Sequence, residues 1–145
     1  MITVKQMLEE KGHQVWTISP DSTVYEALKI MAEKEVGALI VVENGQVVGV
    51  ISERDYARKV VLKGKSSLET PVREIMTTQV YFVNPECTAE ECMALMTEKR
   101  IRHLPVIEEN KLVGVISIGD VVKSVITSQK ITIEHLQNYI MGKYQ

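Results

Sequence analysis

The sequence predicts a mixed α/β (α+β) chain made of two pseudo-symmetric domains, each a small sheet packed with helices. Three observations carry that prediction. Residues 15–55 recur as residues 80–120 at an ungapped offset of 65, with Pro20 against Pro85, Thr23 against Thr88, Met31 against Met96, and Gly49-Val50-Ile51-Ser52 against Gly114-Val115-Ile116-Ser117. Within each copy, one stripe of apolar residues at helical spacing precedes two apolar runs of strand length. The unit is long and occurs only twice, which favours a paired domain over an open repeat array. Function is therefore expected at the seam between the copies.

Taken in order, Val4-Lys5-Gln6-Met7-Leu8 reads as a short helical lead-in, and Val15 to Ile18 as an extended stretch. Pro20-Asp21-Ser22-Thr23 turns the chain into a helix, where Thr23 with Glu26 has capping-box spacing; Thr88 with Glu91 repeats it. Val24, Ala27, Leu28 and Met31 share one helical face, as do Ala89, Cys92, Met93 and Met96. Leu39 to Val42, the turn Glu43-Asn44-Gly45-Gln46 and Val47 to Ile51 read as a hairpin, since Asn-Gly supplies the backbone that tight hairpin turns need. The second copy writes it as Leu104 to Ile107, a polar turn through Glu109-Asn110, and Leu112 to Ile116. Pro105 has no N–H, so its strand is expected at an edge or with an unpaired beginning. A helix follows each hairpin, Asp55 to Leu62 ended by Gly64, and Asp120 to about Thr127. Residues 63–71 form a polar connection, and Val72-Arg73-Glu74-Ile75-Met76 repeats the lead-in. Ile133, Leu136 and Ile140 fall at helical spacing in the tail. The expected domains are 1–68 and 69–130, with a C-terminal helical tail over 131–145.

A chain of 145 residues buries about two thirds of its extended surface, whereas either half alone is marginal, so the halves are expected to share an interface. Seventeen basic and nineteen acidic residues are well mixed and leave a charge of -2. That balance argues against nucleic acid, despite the basic stretch Arg54, Arg58, Lys59, Lys63 and Lys65, which no aromatic ladder accompanies. No run reaches the roughly 18 apolar residues of a membrane helix, and the start turns polar too soon for a signal peptide. A cytoplasmic protein engaging no membrane and no nucleic acid is expected. Cys87 and Cys92, five apart at one helix start, read as reduced, buried thiols on different sides of a helix, neither a disulfide framework nor a metal pair.

Residues 3–127 resemble a tandem pair of cystathionine-beta-synthase-type (CBS) domains. The resemblance rests on the lead-in helix, the short strand, the Pro-x-x-Thr turn, the helix and the hairpin, all present twice. The motifs are Gly49-Val50-Ile51-Ser52-Glu53-Arg54-Asp55-Tyr56 and Gly114-Val115-Ile116-Ser117-Ile118-Gly119-Asp120-Val121. It implies two domains packed about a pseudo-twofold axis, adenosine ligands in one or both clefts between them, and dimerisation of such pairs.

The chemistry of these residues suits that role. A carboxylate at Asp55 or Asp120 can accept ribose hydroxyls, and a hydroxyl at Ser52 or Ser117 can donate to phosphate at a helix start. Ser-x-x-Asp before an apolar helix is equally a capping arrangement that needs no ligand. Arg54 and Arg58 give the first motif forked phosphate donors that Gly119 and Lys123 do not supply in the second. The resemblance implies one site of Ser52, Arg54, Asp55 and Arg58 with Val80, Tyr81, Leu104 and Pro105. Its partner would combine Ser117 and Asp120 with Thr17, Ile18, Gly37, Ala38 and Leu39. Apolar members would sandwich adenine, and Arg102 and His103 would stand within reach of a phosphate. Trp16 and Tyr81, at equivalent positions, read as core or dimer-interface aromatics.

His13, His103 and His135 are scattered, no nucleophile has a neighbouring base, and no Gly-x-Gly-x-x-Gly or Walker loop occurs. The expectation is a regulatory module, not an enzyme and with no metal requirement, that binds AMP, ATP, NAD(H) or a related nucleotide. It would be a homodimer acting through an unidentified effector protein. The alternative is a constitutive interaction scaffold without a ligand.

Overall fold

A computed structural model describes residues 1–128; the tail expected to be helical, with Ile133, His135, Leu136 and Ile140, lies outside the described residues. The elements are α1 (Val4–Lys11), β1 (Thr17–Ile18), α2 (Val24–Lys34), β2 (Ala38–Glu43), β3 (Gln46–Ser52), α3 (Glu53–Tyr56), α4 (Val72–Ile75), α5 (Ala89–Lys99), β4 (His103–Glu108), β5 (Lys111–Ser117) and α6 (Ile118–Ser128). They fall into two compact units. One is the continuous stretch Gln14–Tyr81; the other is composite, joining Met1–His13 to the chain from Phe82 onward. The expected ranges 1–68 and 69–130 follow the sequence copies, while the compact units follow packing and divide the chain after His13 and after Tyr81.

In the continuous unit, β1 runs parallel to β2, and β2 pairs antiparallel with β3 from Ala38↔Ser52 to Glu43↔Gln46. The hairpin turns through Asn44 (φ 53) and Gly45 (φ 76), the doubly left-handed geometry that matches strand twist. Thr23 Oγ accepts from the Glu26 N–H at 3.1 Å to start α2, and Glu35 ends it in the left-handed region. Ile18, Val24, Ala27, Met31, Leu39, Val41, Ile51, Val60, Val72 and Ile75 form the core, with Trp16 and Leu28 half-buried against it.

The lead-in α4 is stitched to the loop before α2, Val72 N donating to Ser22 O and Arg73 N to Pro20 O, both at 2.8 Å. Thr77 and Val50 exchange two backbone bonds, 2.9 and 3.0 Å. This close approach explains Gly49: a Cβ there would lie 2.8 Å from Met76 Sδ and 3.0 Å from Thr77 O.

The composite unit repeats the plan with α1 in the place of α4. Val4 N donates to Cys87 O at 2.7 Å and Lys5 N to Pro85 O at 2.8 Å, and Val4 and Leu8 are buried. A Cβ on Gly114 would meet Leu8 Cδ2 at 2.7 Å, the counterpart of Gly49 against Met76. The lead-in of each sequence copy therefore packs in the unit that holds the other copy's hairpin.

Four local expectations are corrected. The first strand is two residues long, not Val15 to Ile18, and in the second copy only a bridge between Val83 and Val106 remains. The reason lies in Pro105: its equivalent Ile40 donates its N–H to Trp16 O at 3.2 Å, and proline has none to give. The helix expected from Asp55 begins at Glu53, because Ser52 caps it, and continues as a π-helical turn over Ala57–Val61. Met93 is exposed, since α5 buries only the narrower stripe Ala89, Cys92 and Met96. Cys87 stands before α5 and not within it.

Candidate functional site

Each unit presents one Ser-x-x-Asp motif at the junction between hairpin and helix. In the continuous unit the ladder ends with Ser52 opposite Ala38, and Glu53 N donates to Gly37 O at 3.1 Å, which sets the start of α3 beside the start of β2. Ser52 Oγ accepts from Asp55 N at 3.2 Å, while Asp55 Oδ2 accepts from Ser52 N at 3.0 Å and from Ser52 Oγ at 3.1 Å. This is a complete reciprocal cap. Asp55 Oδ1 takes Lys59 Nζ at 2.9 Å and Thr77 Oγ1 at 3.4 Å. Both oxygens are thus engaged, and the residue is 7% exposed.

The composite unit builds the same cap with Ser117 and Asp120. Ser117 N and Oγ donate to Asp120 Oδ2 at 2.8 and 3.0 Å, and Asp120 N returns to Ser117 Oγ at 3.2 Å. The cation differs. Lys11, from the last turn of α1, donates to Oδ2 at 2.6 Å and to Val115 O at 2.9 Å. Among the described residues Oδ1 of Asp120 has no hydrogen-bond partner, and the side chain keeps 24% of its exposure. Burial alone would push this carboxyl up, but the Lys11 ammonium and the Ser117 donors together hold it below its ordinary 3.8. His103 is pushed below its ordinary 6.5, first by burial and then by Lys11 and Arg102, against the pull of Asp120. Burial and the neighbouring cations therefore both favour the neutral form of this imidazole.

The continuous unit holds Thr17, Ile18, Gly37, Ala38, Leu39, Ser52, Arg54, Asp55, Arg58, Val80 and Tyr81, and the composite unit holds Arg102, His103, Leu104, Pro105, Ser117 and Asp120. The two groupings expected from the resemblance each draw members from both units. Leu39 and Leu104, expected against adenine, are 1% and 0% exposed and belong to the cores, so their side chains have almost no surface to offer. Gly37, Ala38, Val80 and Tyr81 are half-buried, and Arg54, Arg58 and Arg102 are exposed.

Sequence reasoning missed Lys11, Lys59 and Thr77 as partners of the two carboxylates. Lys59 was legible, four residues after Asp55 in one helix. Lys11 carried no local signal, being 109 residues from Asp120. A cleft of about 310 Å³ in the continuous unit, lined by Leu28, Met31, Ala32, Glu35, Val36 and Glu53, contains none of the expected site residues. Among the described residues no three His, Cys, Asp or Glu side chains converge as metal ligands, and no helix is long and apolar enough to cross a membrane.

Comparison with known proteins agrees with this duplicated architecture. A family model described as the CBS domain matches residues 4–62 and again 72–127. The CBS domain-containing protein CBSX3, mitochondrial, of Arabidopsis thaliana is 40% identical over 152 residues, covering 98% of this chain and 73% of that protein. CBS domain-containing protein YhcV of Bacillus subtilis is 39% identical over 107 residues, covering 74% of this chain and 76% of that one. A solved structure with CBS domains from Burkholderia ambifaria is 53% identical with a TM-score of 0.85, covering 90% of this chain and 98% of the other.

Proposed function

The chain belongs to the CBS-domain family as a tandem pair, and from that premise we propose that it is a regulatory module that binds an adenosine nucleotide of the AMP, ATP or NAD(H) type. CBS-domain pairs commonly regulate and bind ligands. In this reading the chain turns over no substrate, requires no metal, and acts as a homodimer on a separate effector protein. Regulation then requires the nucleotide to favour one arrangement of the protein over another, because equal affinity for both shifts nothing.

The observation that carries the reading is the open oxygen of Asp120. Oδ2 is committed to Ser117 and Lys11, and Oδ1 is left to accept a ribose hydroxyl from an ionised, oriented carboxylate. Lys11 and Arg102 add positive charge in the same unit, which suits the phosphate of a nucleotide. Asp55 fits less well. Its carboxylate has spent both oxygens inside its own unit, so a ligand there would have to displace Lys59 or Thr77. Exposed Arg54 and Arg58 could still meet phosphate, but the ribose acceptor expected beside them is closed.

Calorimetric titration of nucleotide-free protein with AMP, ATP and NADH, and with GTP as the control for adenine, tests the proposal. Wild type and Asp55→Ala should bind an adenosine ligand. Asp120→Ala should bind it about ten- to a hundredfold more weakly, as expected for losing a charge-assisted hydrogen bond. Unchanged binding by Asp120→Ala, or no binding by folded wild type, would overturn it. One observation favours the scaffold reading instead: the Ser-Asp caps are complete without a ligand, which explains their presence on stability alone. That reading predicts no heat with any nucleotide.

A further inference from the structure

We propose that Cys87 and Cys92 are a peroxide-oxidisable thiol pair that closes into a disulfide across the N-terminal cap of α5. Thr88 is the N-cap, so Cys87 is the residue before it and Cys92 the fourth residue of the helix. These are the two positions whose apolar side chains often pack against each other as a staple at a capped helix start. The cap itself is complete: Glu91 N donates to Thr88 Oγ1 at 3.1 Å, and Thr88 N to Glu91 Oε1 at 3.2 Å. Five residues apart along an uninterrupted helix, two cysteines would diverge. The turn at Thr88 folds Cys87 back toward the helix, and the two sulfurs are near enough for Cys87 to act electrostatically on the Cys92 thiol.

Other features favour the pair. Ser22 and Ala27 occupy the equivalent positions in the first copy, so the fold does not itself require sulfur there. The chain has only two cysteines, and both are thiols in this structure. They differ in access: Cys87 is half-buried, its Sγ 3.7 Å from Asn84 Oδ1, whereas Cys92 is fully buried. Burial first, then Cys87 and Glu91, push the Cys92 thiol up to about 11, so it stays protonated and is the poorer first nucleophile.

The chemistry has two steps. The Cys87 thiolate attacks one oxygen of hydrogen peroxide; the O–O bond breaks, Cys87 becomes a sulfenic acid, and hydroxide leaves and takes up a proton as water. Cys92 sulfur then displaces the sulfenic hydroxyl, its thiol proton leaving with that oxygen as a second water. Two electrons pass from the sulfurs to the peroxide. The loop that closes is tied to α1 through Val4 N to Cys87 O and Ala89 N to Ile2 O, and α1 carries Lys11 to Asp120. The oxidation state of the pair therefore bears on the seat of α1, whether or not a nucleotide binds.

The test is to treat the full chain with hydrogen peroxide, alkylate under denaturing conditions, and measure intact mass and cross-linked peptides. The expected result is loss of two hydrogens with no added oxygen, a Cys87–Cys92 peptide, and reversal by dithiothreitol. Cys92→Ala, which copies Ala27, should lose the disulfide and leave a Cys87 sulfenic acid that dimedone traps. Should that variant not fold, Cys87→Ser, which copies Ser22, should show no disulfide and a Cys92 untouched at the same peroxide dose. Accumulation of sulfinic acid on wild-type Cys87 with Cys92 still alkylatable, or a disulfide only between two chains, would overturn the proposal.

Discussion

Asp55 and Asp120 occupy the same place in two copies of one motif and make the same cap, yet among the described residues one carboxylate is closed and the other open. The difference comes from where the cation arrives. Lys59 reaches Asp55 from the next turn of its own helix, and Thr77 arrives after α4, so both oxygens are taken. The position equivalent to Lys59 in the second copy is Ser124, and Asp120 instead takes Lys11 from the longer lead-in α1, on the oxygen already used by the cap. A duplicated motif thus keeps its local structural role in both places, while its capacity for a ligand depends on neighbours the motif does not contain.

The largest expected effect tests how the lead-ins are seated. Gly49→Ala should cost about 3 kcal/mol in denaturant unfolding, because the new methyl meets the backbone carbonyl of Thr77, a residue that two backbone bonds to Val50 hold in place. Gly114→Ala should cost about 1 kcal/mol, since only the end of the Leu8 side chain must move. Equal costs would break the distinction between a rigid and a yielding contact.

Next come the carboxylates themselves. Asp55→Ala should destabilise by about 2 kcal/mol, combining a lost cap with the loss of the charge-assisted bonds from Lys59 and Thr77 to a buried carboxylate. Asp120→Ala should cost about 1 kcal/mol, mainly the cap. If Asp120→Ala proves the more destabilising, the open carboxylate is a structural keystone and the comparison fails.

Acid should weaken the composite unit first. His103 has a folded pKa below its ordinary 6.5, so the unfolded chain binds its proton more readily; stability is full above about 6.5 and falls as pH drops through the folded value. Asp120 acts with the same sign below about 3.8. Hydrogen exchange measured across that range should show amides of β4 and β5 losing protection before those of β2 and β3, and His103→Gln should remove the earlier loss. Lys59→Met should have the smallest effect, under about 1 kcal/mol, as for other ion pairs with a solvated partner.

Much of this was legible beforehand because it is local. Capping spacing at Thr23 and Thr88, the Asn-Gly turn, the helical stripes and the duplicated lead-in all arise from backbone and side-chain preferences within a few residues. Both readings of Ser-x-x-Asp were legible too, and the cap is realised at both copies. The choice between an open and a closed carboxylate was not legible, because Lys11 is remote in sequence from Asp120. Proline at 105 announced a weak strand, but its consequence, a first strand reduced to a bridge at Val83, required the pairing partner. The cysteines were misplaced for a similar reason. Helical spacing separates them, whereas a cap at Thr88 sets Cys87 outside the helix.

The sequence by itself determined the duplication, the order of helices and hairpins in each copy, and the identity of the Ser-Asp caps, since those rest on periodicity and short-range hydrogen bonding. Only the tertiary structure decided that each lead-in packs with the other copy's hairpin and that, among the described residues, Asp120 and not Asp55 keeps a free oxygen. Those outcomes depend on close packing at Gly49 and Gly114 and on charges brought together from distant parts of the chain, and no local pattern records them.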